Sequence, residues 1–272
     1  MIYRTYIPGY PLNQFIDHFT YFKYKSVSHN IDRFLPDGNI EVVIDLTDYP
    51  KFIYDNDSLT QIQECNDVWI SGIRTKCIYI PSRRNSEMFV IYFRKGMTYP
   101  FVQILLSEIT DRVIPGEIIL SRSIRILRDA LLFINSIEQK FLFAERHLFK
   151  VYGKVLTPNP FIAFAVSQIL KSPQRLTIEE ISNKVGYSQK HLIYIFKQHV
   201  GVTPKSFLRI IRFQRAILEI EKLGTINWAQ LALECGYYDQ AHFIADFKNF
   251  SGLTPAEYIK QKNNTLNYVP VG

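Results

Sequence analysis

Gly186-Tyr187-Ser188-Gln189-Lys190-His191-Leu192-Ile193-Tyr194-Ile195-Phe196-Lys197 and Gly236-Tyr237-Tyr238-Asp239-Gln240-Ala241-His242-Phe243-Ile244-Ala245-Asp246-Phe247-Lys248 decide the fold of the C-terminal third. Each opens on Gly-Tyr, passes a polar capping residue and closes on Phe-Lys. Each is followed by a Gly-x-Thr-Pro ending, Gly201-Val202-Thr203-Pro204 and Gly252-Leu253-Thr254-Pro255. The Phe-Lys pairs and the endings are offset by 51 residues and the opening Gly-Tyr pairs by 50, so the second copy carries one extra residue in its turn. The pattern implies two copies of one supersecondary unit.

Within each copy the local chemistry reads helix, short turn, helix. Thr177 with Glu180 three residues later forms a capping-box signature ahead of Ile178-Glu179-Glu180-Ile181. Gly186 suits the left-handed residue that ends a helix, and Ser188 caps the next one, as Asp239 does in the second copy. Leu192, Ile195, Phe196 and His199 share one helical face. Phe243, Asp246, Phe247 and Phe250 share the matching face, with Asp246 as its misfit. Helix-turn-helix geometry follows, one face anchored and the other projecting.

The projecting positions are Lys190, Ile193, Tyr194 and Lys197 in the first copy and Ala241, Ile244, Ala245 and Lys248 in the second. A helix fits the DNA major groove, where outward residues near its start reach base edges. Ser188, Gln189, Lys190, Ile193, Tyr194, Lys197, Gln240, Ala241, Ile244, Ala245 and Lys248 are therefore the candidate DNA-binding residues, with Lys197 and Lys248 set to neutralise phosphates. Between the units, Pro204 to about Lys222 reads as one helix, apolar at Phe207, Ile210, Ile211, Phe213, Ile217 and Leu218. Nineteen residues span roughly 28 Å, against about 34 Å between successive major-groove faces.

The chain's 272 residues bear 32 Lys and Arg against 25 Asp and Glu, a formal net charge of +7. Residues 171–272 hold 13 of those cations and 8 of the anions, which leaves 19 against 17 before them. Most of the excess lies where the helix-turn-helix pattern lies, which favours an acidic partner. At 47% hydrophobic and 14% aromatic the composition is globular, and no run reaches the roughly 18 apolar residues of a membrane helix. The start lacks the basic and apolar regions of a signal peptide. Cys65, Cys77 and Cys235 are scattered and odd in number, so no disulfide framework is expected and a reducing, cytoplasmic location is.

The first half reads as β-rich. Strands are expected at Asn39–Leu46 after the Pro36-Asp37-Gly38 turn, at Val68–Ile70, at Cys77–Ile80 and at Met88–Phe93. Ile124, Leu127, Leu131, Ile134 and Ile137 then recur at helical spacing, predicting one amphipathic helix that breaks at Tyr152-Gly153-Lys154 to Pro158-Asn159-Pro160. The expected organisation is an α+β chain in two domains, residues 1–155 and 160–265. Catalytic chemistry finds no support. His18, His29 and His147 are far apart with no His-x-His, so no metal is expected. No nucleophile elbow, phosphate loop or dinucleotide fingerprint is present, and no cofactor is expected.

The region from about Phe161 to Lys262 resembles the DNA-binding domain of AraC-type (AraC/XylS) transcriptional regulators. The likeness is carried by Ile181-Ser182-Asn183-Lys184-Val185-Gly186-Tyr187-Ser188, Phe196-Lys197, Arg212-Phe213-Gln214-Arg215-Ala216, the run Ala232–Phe243 and both Gly-x-Thr-Pro endings. It implies two helix-turn-helix units joined by a long helix, binding promoter DNA to regulate transcription. The first half resembles the divergent sensor-like domain of one branch of that family through Ile7-Pro8-Gly9, Leu35-Pro36-Asp37-Gly38, Ser71-Gly72-Ile73-Arg74-Thr75 and Tyr92-Phe93-Arg94-Lys95-Gly96. That likeness implies a cupin-like or small-barrel half with a helical tail, a small-molecule effector, homodimers and contact with RNA polymerase. The chain departs from the family at Ile193, Tyr194, Ala241, Ile244 and Ala245, where members usually carry Arg or Gln. Readout then falls to thymine methyl contacts and to Gln189, Lys190 and Gln240.

Each of these residues has a plainer reading. Lys190 alone is a solvated lysine, His242 a packing histidine and Cys235 a small buried helix residue. Arg74 and Arg94 are first surface ion pairs and only second anion ligands. Trp69, Tyr79, Phe89 and Tyr92 are first a β-core and second a pocket wall. The rival to a regulator is a sensor that has lost specific DNA binding.

Overall fold

The computed structural model describes residues 2–24, 30–82, 86–102, 104–120, 122–222, 226–263 and 265–271. The first half holds strands β1 (Ile2–Tyr6), β2 (Ile16–Tyr24), β3 (Ile31–Phe34), β4 (Glu41–Asp45), β5 (Lys51–Tyr54), β6 (Gln61–Cys65), β7 (Val68–Ser71), β8 (Ile78–Pro81), β9 (Ser86–Phe93) and β10 (Val113–Pro115). Helices α1 (Gly116–Leu120), α2 (Ser123–Phe133) and α3 (Ile137–Tyr152) form its tail. The second half is α4 (Pro160–Lys171), α5 (Ile178–Val185), α6 (Gln189–Val200), α7 (Pro204–Lys222), α8 (Trp228–Glu234), α9 (Gln240–Ser251) and α10 (Pro255–Gln261). A last strand, β11 (Tyr268–Val271), follows.

The strands make two antiparallel sheets, ordered β1-β2-β9-β4-β7-β10 and β11-β3-β8-β5-β6. Alternation along β9 explains its unbroken apolar run. Phe89, Ile91 and Phe93 join the core beneath the helices, while Met88, Val90 and Tyr92 join the cluster on the other face. A strand covered on both sides has no solvent face to keep polar. Phe141 of α3 packs its ring 5.6 Å from that of Phe89, so the helical tail closes one face of the six-stranded sheet.

Two expectations change. The single helix predicted across Ile124–Tyr152 is two helices, because Ile134 leaves helical geometry and Ser136 caps α3 through Gln139 N–H. The Asn135-Ser136 pair is turn and cap chemistry interrupting an apolar periodicity that runs straight through it. The four expected strands are β4, β7, β8 and β9; β1, β2, β3, β5, β6, β10 and β11 were not expected. The C-terminal segment returns to the first half and pairs residue for residue with β3, Tyr268 opposite Phe34 and Val271 opposite Ile31.

In the second half α7 is the axis. Phe207 meets Phe196 of α6, and Phe213 meets Phe247 and Phe250 of α9, at ring distances of 5.7, 5.0 and 5.1 Å. The Asp246 misfit is explained here: its buried carboxylate takes both Nε and Nη2 of Arg209 on α7, at 3.1 and 2.5 Å.

The two halves share a polar and apolar seam. Gln214 of α7 donates to the Pro36 carbonyl and to Asn267 Oδ1, Cys77 N–H donates to the Phe250 carbonyl, and Thr110 Oγ1 donates to the Gly201 carbonyl. Gly38 lies against Ile210 and Ile211. Gly96 sits at φ +77° with the space for a Cβ only 2.8 Å from Val166 Cγ2. The Leu35–Gly38 and Arg94–Gly96 motifs are thus turns that seat the helical half, and glycine is required at the second by both its backbone and its neighbour.

Removing Arg209 strands a buried carboxylate. Arg209→Ala is expected to lower unfolding free energy in urea by about 2–3 kcal/mol, short of the cost for a wholly buried pair because Arg209 is half exposed. The apolar double replacement Arg209→Met with Asp246→Leu should recover most of that loss.

Candidate nucleic-acid interface

Each unit is set by its own caps. Thr177 and Glu180 form the reciprocal box at α5, and Gly186 closes the helix at φ 73°. Ser188 Oγ then accepts from His191 N–H at 3.2 Å to start α6. In the second unit Asn227 caps α8, Asp239 accepts from His242 N–H at 2.7 Å to start α9, and Thr254 with Glu257 repeats the capping box at α10. These bonds satisfy helix-end N–H groups and fix where the second helix of each pair begins.

Along α6, Leu192 and Phe196 are buried and Ile195 and His199 half-buried, as the anchoring face requires. Ser188, Gln189, Lys190, Ile193, Tyr194 and Lys197 are exposed, with Tyr194 at 61%. Along α9, Phe243, Asp246, Phe247 and Phe250 are buried, and Gln240, Ala241, Ala245 and Lys248 are exposed. Ile244 differs: it is half-buried and packs against the core. The first unit therefore offers two cations, a phenol and an apolar side chain. The second offers a flatter surface of small residues with one cation and one amide.

Three exposed residues extend these faces. His191 and His242 occupy equivalent helical positions, each edge-on to the Tyr that follows its Gly: Tyr187–His191 at 4.5 Å and Tyr237–His242 at 5.4 Å. The 51-residue offset relates the two histidines and was the signal that marks them as a pair. Tyr238 is the extra residue of the second turn. It is 86% exposed immediately before the Asp239 cap, so the insertion is turned outward and the helix resumes in register.

Elsewhere the chemistry is spare. His18 bonds Asp17 and stacks on Tyr92, and His147 bonds the Ser123 carbonyl, so the two have separate partners. His29 lies outside the described residues. Among the described residues no group of His, Cys, Asp and Glu could hold a metal, and no helix is long and apolar enough to cross a membrane. Arg94 is exposed and pairs with Asp17, as expected. Arg74 is not a surface residue: it is 6% exposed at the exit of β7, because Gly72 and Ile73 turn the chain inward beneath Ile109. Phe89 is core, whereas Trp69 and Tyr92 line a cavity between the sheets.

Residues 181–261 match a family described as a helix-turn-helix domain, and residues 4–115 match one described as a domain of unknown function, DUF6597. An uncharacterized HTH-type transcriptional regulator of Haemophilus influenzae is 37% identical over 97 residues, 35% of this chain and 32% of that protein. The HTH-type transcriptional regulator ArgR of Pseudomonas aeruginosa is 32% identical over 90 residues, 32% of this chain and 26% of that protein. The chain spans about a third and a quarter of the lengths of these two relatives. Among solved structures, ToxT from Vibrio cholerae aligns over 97% of this chain and 99% of its own at 14% identity, with a TM-score of 0.47.

The cysteines are buried and free, and burial pushes the thiols of Cys65 and Cys235 up to about 11 and that of Cys77 above its usual value. Native protein at pH 8 should react with a disulfide reagent slowly, since roughly a thousandth of the Cys65 and Cys235 thiols is ionised there and Cys77 is buried as well, and should release three equivalents promptly in urea. The folded chain holds these protons where the unfolded chain has lost them. Stability is therefore full below the ordinary thiol pKa and falls as pH climbs from about 9 toward 11.

Proposed function

We propose that this chain, whose C-terminal third is an AraC-type helix-turn-helix domain, is a sequence-specific DNA-binding transcriptional regulator. One observation carries the reading: two capped helix-turn-helix units, related by a 51-residue offset and braced on one buried helix, both leave their second helix exposed. Among the described residues nothing covers the outer side of α6 from Ser188 to Lys197, and these are the residues assigned to the major groove. Lys190 and Lys197 from α6 and Lys248 from α9 contact phosphates in this reading. Gln189, Tyr194 and Gln240 reach base edges or sugars, and Ile193, Ala241 and Ala245 meet thymine methyls. Ile244 contributes only its exposed half.

The finer assignments belong to the same proposal. Residues 1–155 act as the sensor and dimerisation domain and residues 160–265 as the DNA-binding domain, with a small-molecule effector bound by the first and homodimers placing two such domains on one operator. The protein works in the cytoplasm on promoter DNA, beside RNA polymerase, and carries out no catalysis.

The test is fluorescence anisotropy with double-stranded DNA enriched by selection on the full chain, across a salt series. Each phosphate contact contributes a slope of about −0.9 in log affinity against log salt. Lys190→Ala and Lys197→Ala should each weaken binding and flatten that slope by about one contact, with unfolding unchanged. Equal affinity for selected and random DNA, with slopes indifferent to both lysines, would favour the sensor without specific DNA binding.

A further inference from the structure

The inner faces of the β-rich half do not close on each other. Buried side chains form one cluster on the five-stranded sheet, around Phe34, Ile53 and Ile78, and another on the six-stranded sheet, around Phe22, Val43 and Val90. Trp69 packs against both. Facing sheets ordinarily interdigitate at about 10 Å. Here a cavity of about 100 Å³ remains between them, walled mainly by aliphatic and aromatic side chains.

Arg74 stands in that wall. It is 6% exposed, its Nε has no hydrogen-bond partner among the described residues, and its Nη2 reaches only Ser71 Oγ at a long 3.4 Å. Of the other charges in the wall, Lys51 pairs with Asp45 at 3.5 Å, and Glu41 has an interaction of its own and also, with Asp111, acts electrostatically on Arg74 without hydrogen-bonding it. A buried guanidinium donor left unbonded is costly, and its planar fork fits a carboxylate. An apolar cavity of roughly 150 Å³ takes a benzene ring of six carbons, so a volume two thirds as large suits an apolar body of about four or five.

One wall of the cavity comes from the far end of the chain. Tyr268 of β11 lines it and packs its ring 4.9 Å from that of Phe34. Six residues, 262–267, separate β11 from α10, and the last of them, Asn267, is held by Gln214 of α7. Ile78, also in the wall, follows Cys77, whose N–H bonds the Phe250 carbonyl near the end of α9.

We propose that this cavity binds a small monocarboxylate with an apolar tail of about four or five carbons, its carboxylate on Arg74, and that β11 relays occupancy to the DNA-binding helices. The relay rests on the DNA-binding reading above. The cavity assignment stands apart from it.

The experiment titrates the full chain calorimetrically with 3-methylbutanoate and hexanoate. Acetate supplies the head without the tail, and 3-methylbutanol the tail without the charge. Both longer acids should bind at least tenfold more tightly than either control, and Arg74→Met should abolish that preference. The acid–alcohol comparison on the unaltered chain tests the same contact independently of whether the variant folds. Acids no better than the alcohol, or undiminished binding by folded Arg74→Met, would overturn the assignment. DNA anisotropy then reads the relay: the acid should shift DNA affinity at least threefold in the unaltered chain and leave it unmoved in Tyr268→Ala. An acid that binds without shifting DNA affinity refutes the relay alone. A chain that binds the acid but no DNA refutes the regulator reading and leaves the cavity assigned.

Discussion

Helix α7 is buried on more than one side, and the rest of the helical half takes its position from that constraint. Phe207 and Phe213 are fully buried against the first and second units, six residues and so well over one turn apart, and Arg209 between them holds the carboxylate of Asp246. Farther along, Glu221 accepts from Tyr258 Oη and Lys262 Nζ of the closing helix region. A nineteen-residue helix with apolar contacts on several sides cannot slide or rotate without breaking one of them. The two units are thereby fixed at a distance set by helix rise rather than by a flexible linker.

The same helix also carries the β-rich half. Ile210 and Ile211 fill the space over Gly38, and Gln214 holds both the exit of β3 at Pro36 and the entry to β11 at Asn267. The C-terminal strand completes a sheet that begins more than two hundred residues earlier, so the helical half is attached to the β-rich half at both ends of its sequence. Motions of the sheets that displace β3 or β11 must be felt at α7, since these atoms share hydrogen bonds. A domain pair joined only through an exposed linker would lack that mechanical connection.

What was legible in the sequence was local. Caps at Thr177, Ser188 and Asp239, the Gly ends and the apolar spacing of α6 and α9 all act within a few residues, and a repeat displays them twice. What was hidden depends on distant partners. Asp246 looked misplaced because its answer, Arg209, lies 37 residues away. Gly38 read as an ordinary turn and Gly96 as the end of a motif, and their meaning lies in Ile211 and Val166. Tyr268-Val269-Pro270-Val271 is short and contains a proline, a weak strand signal that succeeds because β3 offers a free edge. Arg74 was read as a surface ion pair, since charge alone says nothing of the inward turn at Gly72. The flat face of α9 was legible at Ala241 and Ala245, but the half-burial of Ile244 was not, because it is set by packing against the core.

In the proposed regulator, α7 presents α6 and α9 to DNA as one rigid pair. Hydroxyl-radical footprinting of the full chain on selected duplex DNA tests it most directly. Two protected patches are expected on the same side of the duplex, centred about 10 base pairs apart, one helical turn. A single patch, or two whose separation varies between binding sites of different sequence, would contradict it.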